Sequence, residues 1–303
     1  MLFTLLCIDE NKNSSYLLNS LRSLQQCVYN NNISSLCLII QIRSDSGSSQ
    51  RWLARQRSDP YVKRARIESY RCRSAFKLLQ LNDKIHGGLF KPGDIVVDCG
   101  AAPGSWCQVA SSFVNPSLVG NHSGGGGGSE EDKQNSGLVI AFDLLPFADL
   151  PGVISYPGTD LNNWSECVNL INQSVLNHLT NNRLHRHSGR KDPLPAVDII
   201  LSDIAPNVSG MRDIDIPAMM KLALNVLRVA ISVSRQGGSL VIKLFESPEA
   251  REFKETVSQF YSLNSTSSFT RFIKPQSSRK ESSEVYLVAR GFQLPQSSTI
   301  QKS

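Results

Sequence analysis

Ile95-Val96-Val97-Asp98-Cys99-Gly100-Ala101-Ala102-Pro103-Gly104-Ser105-Trp106 decides how this chain folds. An apolar run ends in an acid, and a turn of small residues follows, with glycines at 100 and 104. The pattern predicts a buried strand, a tight loop and the first turn of a helix. Glycine and alanine let a backbone approach a ligand closely, and a helix N-terminus offers unpaired N–H groups. Such a corner suits a nucleotide-like cofactor at the carboxyl edge of an open sheet. The turn lacks G-x-G-x-x-G, and no hydride-transfer constellation is evident. Both features disfavour a nicotinamide oxidoreductase.

Working outward, strands are expected at 138–143, 153–156, 197–203 and 239–245. Helices are expected over 74–81, from the corner to about Phe113, over 164–179, from about Ile216 and from about Pro248 to Phe260. Pro217 would stand in the first turn of its helix, and Gly237-Gly238 would end it. Strands alternating with helices predict a doubly wound α/β sheet, mostly parallel. The last two strands, 270–274 and 284–290, are joined without a helix, which predicts an antiparallel edge strand.

Buried parallel strands should be uniformly apolar. Lys243, inside Leu240-Val241-Ile242-Lys243-Leu244-Phe245, breaks that rule, and a buried lysine is costly unless paired or part of a site. Asp203 ends the 197–203 strand, Glu284 opens the last one, and Lys77 sits beside the apolar stripe of the 74–81 helix. Two lysines and two carboxylates could thus converge above the carboxyl edge; the bland alternative is four ordinary strand-end and helix-edge charges. Asp143 ends the second strand, where acids commonly hold ribose hydroxyls.

Nine basic residues stand between Arg51 and Lys77 against two acids, Asp59 and Glu68, with Trp52, Tyr61, Tyr70 and Phe76 interleaved. Cations meet phosphates and aromatic rings stack on bases, so the stretch reads equally as an RNA-binding face or a solvated helix face. The net charge of +6 permits a polyanion partner without requiring one. Seven cysteines without a C-x-x-C pair argue against zinc and against a disulfide framework. His185 and His187 lack the neighbours a metal site needs. No apolar run reaches the roughly 18 residues of a membrane helix. Residues 1–58 are Asn/Ser-rich, with no acid between Asn11 and Ile42. They read as a targeting segment or an unstructured extension. Residues 115–137 form a glycine-rich flexible insertion, and 293–303 a tail.

Five blocks together resemble the FtsJ/RlmE family of ribosomal RNA 2′-O-ribose methyltransferases. They are Ser69-Tyr70-Arg71-Cys72-Arg73-Ser74-Ala75-Phe76-Lys77-Leu78, Asp98 to Trp106, Asp143-Leu144-Leu145-Pro146, Ser202-Asp203-Ile204-Ala205-Pro206-Asn207, and Ser277 to Tyr286. The likeness covers roughly 59–292, and the wording of the first and last blocks most resembles the mitochondrial branch. It implies a Rossmann-like class I methyltransferase fold and a Lys-Asp-Lys-Glu tetrad at Lys77, Asp203, Lys243 and Glu284. It also implies S-adenosyl-L-methionine bound by Pro103, Gly104, Ser105, Trp106, Asp143, Asp160 and Asp203. The implied substrate is a uridine of large-subunit rRNA or a pre-ribosomal particle in the mitochondrial matrix, handled by a monomer without metal or membrane. Ser105 replaces a glycine or alanine of the family pattern. The same chemistry on tRNA or an mRNA cap stays open, as does a catalytically silent rRNA-binding factor.

Overall fold

The computed structural model describes residues 54, 56–118, 136–183, 197–262 and 268–294, with only the backbone at 181–183. Contacts divide the chain into Met1–Ser58 and Asp59–Ser303, and the architecture below is that of the second unit. Most of residues 1–58, most of the glycine-rich insertion, His185, His187 and the end of the tail lie outside the described residues.

In chain order the elements are α1 (Pro60–Ile67), α2 (Ala75–Asp83), β1 (Ile95–Cys99), α3 (Ser105–Val114), β2 (Leu138–Asp143) and β3 (Val153–Pro157). Then come α4 (Trp164–Arg183), β4 (Val197–Ser202), α5 (Arg212–Val233), β5 (Ser234–Phe245), α6 (Pro248–Ser258), β6 (Phe269–Ile273) and β7 (Glu284–Arg290). One seven-stranded sheet runs in the order β3-β2-β1-β4-β5-β7-β6. The pairings from β3 through β5 are parallel, while β7 is antiparallel to both β5 and β6. The antiparallel part lies at one edge, as expected, with β7 the reversed strand. Its reversal carries its first residue, Glu284, to the edge where the other strands finish, opposite Phe245.

Side-chain alternation divides the core between the two faces. Ile95, Val97 and Cys99 of β1 join the cluster built with α4, α5 and α6, whereas Val96 joins the one built with α2 and α3. Lys243 falls on the α2/α3 face with Val241 and Tyr286, because residues two apart share a face.

The boundaries around α5 differ from expectation. α5 begins at Arg212, so Pro217 lies inside it rather than in its first turn. The cause is Asp215, whose carboxylate accepts from Ser209 N, Ser209 Oγ and Gly210 N and pins the loop against the helix start. Gly237 and Gly238 do not stop that helix, which ends at Val233 and passes directly into β5. They instead form an irregular start to the strand, where Gly237 N donates to Phe292 O and Gly238 O accepts from Gly291 N and Phe292 N. α5 is also long and apolar enough, by length and composition, to cross a bilayer. Its apolar residues Met219, Ala223, Val226 and Ala230 are spent on the sheet, as in a core helix.

Candidate active site

The four charged outliers come together in two ion pairs at the carboxyl edge. Lys77 Nζ lies 2.8 Å from Glu284 Oε2, and Lys243 Nζ lies 3.2 Å from Asp203 Oδ1. Lys243 Nζ also donates to the backbone carbonyl of Asp203. Lys243 is 8% exposed. Parallel pairing of Ser202 with Ile242 sets Asp203 beside it. Lys77 does not snorkel to solvent; α2 packs on the sheet through Ala75, Leu78 and Leu81 and aims the lysine across the face to β7.

Tyr286 joins the two pairs, and the sequence reading assigns it no role. It pairs with Lys243 in the β5–β7 register, and its hydroxyl donates to Asp203 Oδ1 at 2.7 Å. Lys77 Nζ stands 5.7 Å from its ring centroid. Burial, reinforced by the Asp203 and Glu284 charges, pushes its phenol well above the ordinary value, so it remains a donor. The signal for it is positional: Glu284 and Tyr286 are two apart on one strand and therefore share a face.

The β1 corner is built as its small residues require. Gly100 and Gly104 have φ of 81° and 99°, in the left-handed region that favours glycine. A Cβ on Gly100 would stand 2.6 Å from Ile204 Cβ, so the loops after β1 and β4 touch there. Asp143 Oδ2 accepts from Ala102 N and Oδ1 from Leu145 N, both at 2.8 Å, which ties the loops after β1 and β2 together. Asp160 Oδ1 caps the short turn Leu161–Asn163 through Asn162 N. The Ser105 and Trp106 side chains turn inward. Ser105 Oγ bonds to Ser74 Oγ and Cys72 Sγ, and the Trp106 indole N–H donates to Ser74 O. That leaves their backbone N–H groups at the α3 N-terminus as the parts available to a ligand.

Asp98 is fully buried beneath this corner. Cys107 Sγ donates to its Oδ2 at 3.1 Å, while Oδ1 has no partner among the described residues. Burial drives its carboxyl up to about 7, and the Asp203 and Asp143 charges push the same way.

The basic stretch divides into inward and outward cations. Arg73 binds Asp59, the N-cap of α1, and the carbonyl of Ser277. Arg71 reaches the carbonyls of Pro103 and Asp149. Lys63, Arg64 and Arg66 on α1 are exposed, with Arg64 paired to Glu68. Among the described residues no group of three or more His, Cys, Asp or Glu is placed to hold a metal ion.

Comparison with known proteins agrees with this architecture. Residues 70–292 match the family described as FtsJ-like methyltransferase. The rRNA methyltransferase 2, mitochondrial, of Drosophila melanogaster is 35% identical over 251 residues, covering 83% of this chain and 86% of the relative. Ribosomal RNA large subunit methyltransferase E of Coxiella burnetii is 34% identical, covering 80% and 95%. Its Acinetobacter baumannii counterpart is 36% identical, covering 81% and 93%. A family match over most of the chain, with the two ion pairs and the glycine corner in place, makes this protein a member of the FtsJ-like methyltransferase family.

Proposed function

We propose that the protein transfers a methyl group from S-adenosyl-L-methionine to the ribose 2′-hydroxyl of a uridine in mitochondrial large-subunit rRNA. The observation that carries this reading is the linked Lys77–Glu284 and Lys243–Asp203 pairs beside the glycine corner. The relatives' names supply the rRNA and the mitochondrion.

The cleft's residues fit that cofactor. Gly100 and Gly104 allow close backbone approach, and Asp143 and Asp160 offer acceptors for hydroxyl and amine groups. Asp98 holds an unpartnered buried carboxylate oxygen beneath the loop. The cofactor supplies an electrophilic methyl on sulfur, and the displacement is in line. The chain must therefore align the hydroxyl and take its proton. Lys243 is suited to the second task. Asp203 Oδ1 and the Asp203 carbonyl hold Nζ in two directions, which leaves a third direction of the amine for the hydroxyl. Tyr286 donates to Asp203 Oδ1 and fixes that carboxylate beside Lys243. Glu284 holds Lys77 in place as a second cation near the developing alkoxide.

Two results test the binding half of this proposal. Asp143→Ala should weaken adenosylmethionine binding by roughly 1–3 kcal/mol, since the carboxylate serves ligand and loop alike. Unchanged affinity in calorimetry removes Asp143 from the site. Replacing Lys63, Arg64 and Arg66 together by Gln should lower the salt slope of rRNA binding by about 2, because fewer counterions are released. An unchanged slope makes α1 a solvated face and leaves the RNA contacts elsewhere.

A further inference from the structure

Arg71 belongs by charge to the basic stretch, yet its guanidinium binds two carbonyls of the protein. Nη1 donates to Pro103 O at 2.8 Å and Nη2 to Asp149 O at 3.0 Å. The first carbonyl lies in the loop after β1 and the second in the loop after β2, the two segments assigned above to the cofactor. The guanidinium carbon also stands 5.8 Å from the Phe147 ring centroid, so the second loop is held by stacking as well. The backbone at this point is fixed to α3. Arg71 N donates to Gln108 Oε1, and Gln108 Nε2 donates to Ser69 O. A methyl group at Gly104 would stand 2.5 Å from Arg71 Nη1 and 3.1 Å from Phe147 Cδ2, so the bare glycine leaves the space the clamp fills.

We propose that Arg71 is a positioning residue whose planar fork holds the two loops of the cofactor cleft at their working separation, and that it is not a phosphate contact. The inference rests on the reading of that cleft as an adenosylmethionine site. Only a planar fork offers two donors at fixed spacing to carbonyls on separate loops. A lysine keeps the charge but presents a compact ammonium. The two carbonyls take two of its five N–H donors, and the salt titration below reads whether a phosphate uses any of the others.

The test uses full-length Arg71→Lys and Arg71→Gln. Calorimetry reads adenosylmethionine affinity, a salt titration with an rRNA fragment reads phosphate contacts, and amide exchange reads the loops of the ligand-free protein. Both variants should bind adenosylmethionine roughly ten-fold more weakly, the loss expected for two charge-assisted hydrogen bonds partly replaced by water. The amides of Ala102 and Leu145, which donate to Asp143, should exchange faster, with β1 and β4 unchanged and the salt slope unchanged. Parental affinity in Arg71→Lys would show that charge alone suffices and would overturn the fork. So would a slope reduced by about one with loop exchange unaltered, the behaviour of a phosphate contact. A parent protein that failed to bind adenosylmethionine would overturn the cofactor reading, while the exchange measurement would still decide whether Arg71 clamps the loops.

Discussion

Lys243→Met should lower methyl transfer by roughly 10²–10⁴-fold, the usual contribution of a general base, while adenosylmethionine affinity changes little. Methionine keeps the long apolar stem in its place between Val241 and Tyr286 but removes the amine. The affinity expectation follows from geometry. Lys243 bonds only to Asp203 among the described residues, and the loops after β1 and β2 are held by Asp143 and Arg71. Breaking a buried ion pair is costly when it strands the partner. Asp203 is not stranded, because Tyr286 still donates to it. The variant should therefore fold, and its unfolding midpoint serves as the control. A proton-accepting role also predicts a parental rate that rises with pH and a variant that loses this limb. Near-normal turnover by Lys243→Met would make the lysine structural and require another base.

Asp98→Asn should reshape the pH dependence of stability. In the folded protein the Asp98 carboxyl is pushed up to about 7 by burial, whereas an unfolded aspartate titrates near 3.9. Between those values the unfolded chain has released the proton that the folded chain keeps. The contribution of this group to stability is therefore complete below about pH 4, falls as pH rises toward about 7, and is level above that. Three units at about 1.4 kcal/mol each set an upper bound of about 4 kcal/mol. Asparagine removes the titration and can still accept from Cys107. Relative to the parent, Asp98→Asn should gain about 2–3 kcal/mol between about pH 5 and pH 8 in denaturant unfolding. A constant difference across that range would mean that Asp98 is ionised when folded and that the corner is more hydrated than its burial implies.

Much of the fold was legible because its signals are local. Apolar runs that end in acids mark β1, β2 and β4, and a lysine inside an apolar run marks Lys243 without any knowledge of its neighbours. What stayed hidden depends on pairing. Tyr286 is an ordinary strand residue until the β5–β7 register sets it opposite Lys243. Arg71 and Arg73 read as arm cations because composition cannot tell a guanidinium facing solvent from one facing two carbonyls. Only the folded chain brings Pro103, Asp149 and Ser277 to them. Gly237-Gly238 read as a helix stop because glycine serves equally at a helix end and in an irregular strand. The choice was made by the bonds from Gly237 and Gly238 to residues 291 and 292, more than fifty positions away. Pro217 misplaced the start of α5 because proline favours a first turn, while the Asp215 clamp lengthens the helix by one turn ahead of it.

The proposed methylation of a ribose hydroxyl in mitochondrial large-subunit rRNA can be read one nucleotide at a time. The most direct measurement maps 2′-O-methylation, nucleotide by nucleotide, in rRNA from cells depleted of the protein and re-supplied with either the parent or Lys243→Met. One ribose-methylated uridine should be lost on depletion, restored by the parent and not restored by the variant. Unchanged ribose methylation on depletion, or full restoration by Lys243→Met, would contradict it.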